Sequence, residues 1–201
     1  MRRFLLALLC LFPLATQAAG PNGVLETGQV LRGRFVQQRH LKGFSAPLRS
    51  EGRFVLAPGK GLIWRAETPF AVTTVITAAG LVQNVGETET IRLPSARLPF
   101  LARLYDMLGG ALAGDWRALA GDFEVTRSGD DEAWRVVLSP RRRDDAGIPF
   151  RSIIAKGARY VETVDIAKAD GDSEDLAFLD QALSAGPLSA DEARALGTLA
   201  K

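Results

Sequence analysis

Between Val30 and Leu93 the chain repeats short stretches of Val, Ile, Thr, Phe and Leu, each closed off by Gly, Pro or Asn. Successive side chains of an extended strand point to opposite faces, so such stretches bury one face and wet the other. The alternation is legible in place: Phe54 and Leu56 share a face, Leu62 and Trp64 share a face, and Arg53 and Arg65 point the other way. The pattern predicts strands near 30–39, 52–57, 61–66, 71–78, 80–85 and 89–93. It resumes near 122–128, 133–139, 149–156 and 160–168, with a hairpin turn at Ser128-Gly129-Asp130-Asp131. Together these segments specify a mainly β (α+β) chain built on one large, curved antiparallel sheet.

The texture changes after Pro94. Leu98, Leu101, Leu104, Tyr105, Leu108 and Leu112 recur at helical spacing, Gly109-Gly110 interrupts the run, and Asp115 to Leu119 carries Trp116. A curved sheet needs its inner face covered, and segment 97–120 supplies a helical cover. Ser189 followed by Glu192 is a capping box that opens a short C-terminal helix.

The first residues carry an address. Arg2 and Arg3 precede an apolar run from Phe4 to Leu14, and Thr16-Gln17-Ala18 forms a small-residue cleavage site ahead of Ala19. The run is well short of the roughly twenty apolar residues that a membrane-spanning helix needs. Cys10 lies inside it behind Leu8 and Leu9, without the small residues that lipoprotein processing requires. The expectation is a cleaved signal peptide over 1–18 and a single exported, soluble domain over 19–201. Cys10 leaves with the signal, which removes disulfides, a thiol nucleophile and Cys-based metal sites. Arg2 and Arg3 leave too, which brings the 25 basic and 23 acidic residues of the whole chain into balance and removes the electrostatic case for nucleic acid.

Catalytic constellations are sparse. His40 is the only histidine, so no multi-His metal site can form, and no conventional Ser-His-Asp triad can form without it. The acidic stretch Asp170 to Asp175 offers oxygens at alternate positions, but Asp175 stands where a calcium loop turns on Gly, and Gln181 where it closes on Glu, so it reads as a solvated turn. Arg141-Arg142-Arg143 is compensated by Asp144-Asp145 and reads as an exposed loop.

Three motifs fall in order across the predicted strands: Phe-x-Gln-x-Arg from Phe35 to Arg39, Pro-Leu-x-Ser-x-Gly from Pro47 to Gly52, and Gly-Leu-x-Trp from Gly61 to Trp64, with Pro69 five residues beyond. In that order, after an export signal, they resemble a divergent branch of the LolA-like outer-membrane lipoprotein carriers of the LolA/LolB superfamily. The resemblance implies an unclosed β-barrel lidded by helices, a hydrophobic cavity for acyl chains, and a periplasmic carrier, with no cofactor, that takes a lipoprotein or other lipid cargo from an inner-membrane donor to an outer-membrane acceptor. By matching positions Leu62 and Trp64 line the cavity and Phe35 and Phe54 support the same sheet. Helical spacing adds Leu101, Leu104, Met107 and Leu108 as lid residues, with a hinge at Gly109 and Gly110. The better-known carriers have an Arg-Pro pair shortly before the Trp; here Pro58 stands six residues before Trp64, and Lys60 is the nearby cation. Two other readings stay open: a non-transport envelope binding or sensing module using the same sheet, and an envelope-lipid hydrolase built on His40 or Ser50.

Overall fold

The computed structural model describes residues 25, 28–95, 116, 120–121, 123–142 and 150–198. Its strands are β1 (Gln29–His40), β2 (Leu48–Ala57), β3 (Gly61–Thr68), β4 (Val72–Thr77), β5 (Gly80–Val85), β6 (Thr88–Pro94), β7 (Phe123–Gly129), β8 (Trp134–Pro140), β9 (Phe150–Gly157), β10 (Val161–Lys168) and β11 (Ser173–Ala185), followed by helix α1 (Ala190–Gly197). All ten strands read from alternation are present within a few residues of their expected bounds. The eleventh, β11, falls where the acidic stretch reads as a turn. Only residues between Lys168 and Ser173 turn there, and Ser173 onward pairs with strands on both sides.

The strands form one antiparallel sheet in the order β6-β5-β4-β3-β2-β1-β11-β10-β9-β8-β7. Two meanders, β1–β6 and β7–β11, are thus joined by the pairing of β1 with β11. The sheet is not closed into a barrel: β6 and β7 are its two edges, and the chain from one edge to the other runs through residues 95–122.

Curvature follows from the packing. One buried cluster draws Leu31 and Phe35 from β1, Phe54 and Leu56 from β2, Leu62 from β3 and Ile76 from β4, together with Phe123, Trp134, Leu138, Ile153, Val161 and Phe178 from the other half of the sheet. Side chains so far apart in strand order meet only if the sheet curls around them, so this is the inner face. A smaller cluster, Val30, Ala57, Ile63 and Val75, lies on the outer face under Leu196 of α1.

Helix α1 is held by a double use of one carboxylate. The Ser189 hydroxyl accepts from the Glu192 N–H at 3.2 Å, and the Glu192 carboxylate accepts from the Ser189 N–H at 2.7 Å, completing the expected capping box. Glu192 also takes a two-pronged bond from Arg32 of β1, Nε to Oε1 at 2.8 Å and Nη2 to Oε2 at 2.7 Å. The Arg32 bond is the main reason that the Glu192 carboxyl drops from an ordinary 4.5 to about 2; partial burial opposes the shift and the Ser189 N–H adds to it. A lowered folded-state value contributes stability that is present above about 4.5 and lost as pH falls through about 2. Glu192→Gln is therefore expected to cost about 1 kcal/mol at neutral pH after solvent screening, with the difference from the parent protein closing as pH falls between those values; urea unfolding across that range checks it.

Candidate functional site

The register sorts the inner face into transverse rows. Leu31, Leu56, Leu62, Ile76 and Leu81 lie opposite one another across β1 to β5, and Leu183 of β11 and Leu93 of β6 extend the row at either end. Next along the strands come Gly33, Phe54 and Trp64 in register. Gly33 leaves space for a ring: a Cβ there would stand 2.7 Å from Cε1 of Phe54. The following row holds Phe178, Phe35, Gly52 and Ala66.

Four rings knit these rows together. Phe35 stacks on Trp64 with centroids 3.7 Å apart, Phe54 and Trp64 lie 6.3 Å apart, and Phe178 meets Phe54 and Trp64 edge-on at 5.4 and 6.1 Å. Gly52, the residue in register between Phe35 and Ala66, has no side chain to hold the stacked rings away from the backbone. The expected set of Phe35, Phe54, Leu62 and Trp64 is thus gathered on one face. Phe178 joins it from β11 and was not legible in sequence, although Leu176-x-Phe178 carries the period-two spacing that marks it.

A second aromatic contact, Trp116 against Trp134 with centroids 5.6 Å apart, lies on the same cluster, and Trp134 Nε1 donates to the Ala158 carbonyl at 2.6 Å. Leu25, Trp116 and Tyr160 are the described residues from outside the strands that pack against this face. The middle of the inner face is buried: Phe35 and Phe54 are each 1% exposed and Leu62 2%. Leu101, Leu104, Met107, Leu108, Gly109 and Gly110, and the signal segment 1–18, lie outside the described residues.

The two alternative candidates for hydrolysis, His40 and Ser50, lie on opposite faces of the sheet. Ser50 sits on the inner face opposite Gln37, whose Oε1 accepts from its hydroxyl at 3.3 Å. His40 is on the outer face, with Nε2 2.9 Å from Oδ2 of Asp175. Ser50 and His40 therefore cannot act as nucleophile and base on one substrate. Among the described residues no group of three His, Cys, Asp or Glu side chains is placed to hold a metal, and no helix is long and apolar enough to cross a membrane.

No curated protein sequence matches the chain. Among solved structures, a LolA superfamily protein from Nitrosomonas europaea is similar at 10% identity and a TM-score of 0.43, over 81% of this chain and 88% of that one. A proposed outer membrane lipoprotein-sorting protein domain from Vibrio parahaemolyticus is similar at 10% identity and a TM-score of 0.43, over 88% and 93%. MucB from Pseudomonas aeruginosa, solved in complex with MucA, is similar at 14% identity and a TM-score of 0.39, over 81% of this chain and 54% of that chain. The model of one sequence family, described as outer membrane lipoprotein carrier protein LolA-like, matches residues 24–195, and the chain belongs to that LolA-like family.

Proposed function

We propose that this protein is a soluble periplasmic carrier, without covalent chemistry, that takes the acyl chains of a lipoprotein or another lipid onto the inner face of its sheet and delivers them towards the outer membrane. Membership of a family described by lipoprotein carriage supports the reading. The observation that carries it is the continuous apolar inner face, with the row from Leu31 to Leu81 backed by the rings of Phe35, Phe54, Trp64 and Phe178.

The energetics suit a shuttle. Each buried methylene contributes about 0.8 kcal/mol, so one acyl chain supplies ample affinity through burial alone. Because Leu62 and Phe54 are nearly inaccessible, loading requires acyl chains to displace whatever covers them, and that exchange keeps the net affinity low enough for release to an acceptor. An unclosed sheet accommodates such exchange better than a closed barrel, since β6 and β7 need not move together.

Native mass spectrometry of protein purified from its own compartment tests the reading. Substoichiometric lipid adducts are expected, and they should vanish after delipidation and return on incubation with lipid. Consistent absence of adducts, together with failure of a fluorescent acyl probe to bind saturably, contradicts carriage; capture of an envelope protein by the same lipid-free material would then favour a binding module.

A further inference from the structure

The motifs that carry the family resemblance run past the apolar surface. Phe35, Gln37 and Arg39 alternate along β1 and so share the inner face, and across the β1–β2 register they stand opposite Gly52, Ser50 and Leu48. Along this line polarity and exposure rise together. Leu31 is fully buried and Phe35 is 1% exposed, whereas the Arg39 side chain is 52% exposed. One end of the inner face therefore opens to solvent, and it is the charged end.

Glu174 organises that end. Its Oε2 accepts from Gln37 Nε2 at 2.8 Å, while its Oε1 accepts from Lys168 Nζ at 2.5 Å and lies 3.4 Å from Arg39 Nε. Gln37 in turn accepts from Ser50. One carboxylate thus binds Lys168 of β10 and lies within ion-pair distance of Arg39 of β1, and the trio keeps a surplus positive charge. Arg39 approaches through Nε, and among the described residues neither its Nη atoms nor the Lys168 ammonium has a hydrogen-bond or ion-pair partner other than Glu174. The adjoining turn carries Asp170 and Asp172, which accept from the Asp172 and Lys42 N–H groups, and among the described residues neither carboxylate is ion-paired with Arg39 or Lys168.

A nearly buried carboxylate that gathers two cations at the open end of an apolar surface makes an anion seat. The geometry points to an amphiphile with an anionic head, carboxylate or phosphate, whose acyl chain lies along Phe35, Trp64 and the leucine row while its head meets the Arg39 Nη atoms and the Lys168 ammonium. The assignment rests on acyl binding as proposed above and adds to it the head-group class and the direction in which the ligand lies. Charge-assisted bonds at a partly desolvated site carry the selectivity.

The test compares cis-parinaric acid with its methyl ester, which share a chain and differ in head charge, at a pH where the acid is ionised. The parent protein is expected to bind the acid about tenfold more tightly than the ester. Arg39→Gln should reduce that ratio several-fold, and the Arg39→Gln/Lys168→Gln double variant should bring it near one, while ester affinity stays within about twofold and so reports an intact fold and apolar surface. Inorganic phosphate at equal ionic strength should displace the acid no better than chloride does, because the head alone lacks the chain's burial. Equal binding of acid and ester by the parent protein, or an unchanged ratio in Arg39→Gln, overturns the anion seat. If neither probe binds, acyl carriage itself fails and the seat falls with it.

Discussion

Gly52→Ala will leave little folded protein. Gly52 faces inward on β2 opposite Phe35, and an added Cβ would lie under 3.0 Å from the Arg65 carbonyl oxygen and carbon and the Ala66 Cα. These are backbone atoms of the adjoining strand, so no side-chain rotation relieves the clash. The register between β2 and β3 shifts between Glu51 and Gly52, which brings the two backbones unusually close at this point. Separating them would break ladder bonds and lift Trp64 from Phe35. A cost of about 3 kcal/mol or more is expected, at the upper end for overpacking, and is read from urea unfolding or from loss of soluble protein. A change below about 1 kcal/mol would mean that β2 and β3 do not approach in this register.

Phe35→Ala is the second large effect. Phe35 is central in the aromatic cluster: it stacks on Trp64, lies directly across from Phe178 in the β1–β11 register, and is 1% exposed. Removing the ring deletes its transfer free energy and leaves a void beside Gly52, which has no side chain to fill it. The expected loss is about 3–5 kcal/mol, with Phe35→Leu costing much less because it restores most of the volume. The same cavity would expose Trp64 to quenching by acrylamide, which separates local loosening from global unfolding. Equal stability of Phe35→Ala and the parent protein would remove Phe35 from the core.

Much of this architecture is legible in the sequence, for a physical reason. A strand with one wet face must alternate, so Phe54/Leu56 and Leu62/Trp64 reveal both the strand and its inward side. The capping box likewise announces α1, because Ser189 and Glu192 satisfy each other's backbone donors locally. Strand β11 obeys no such local rule. Leu176, Leu179 and Leu183 fall at helical spacing, and Asp175, Asp180 and Gln181 favour neither face. It is extended because β1 and β10 pair with it on both sides, and a register shift opposite Arg32 and Arg34, with Asp180 at a φ of 51°, brings Leu176 and Leu183 to the same face while Leu179 stays on the other, exposed. With β11 hidden, Phe178 and the seating of Glu174 between Lys168 and Arg39 are hidden too. Both arise from tertiary register, which a single strand's composition does not encode.

The central claim is that acyl chains occupy the inner face of the sheet. Photocrosslinking with a diazirine-bearing fatty acid, followed by peptide mapping of the adducts, addresses it directly, because neighbouring residues of one strand face opposite ways. The account predicts saturable adducts on Leu62, Trp64, Phe35, Phe54 and Phe178, competed away by unlabelled lipid. Adducts confined to the outer-face neighbours Val55 and Ile63, or spread over the surface without competition, would contradict it.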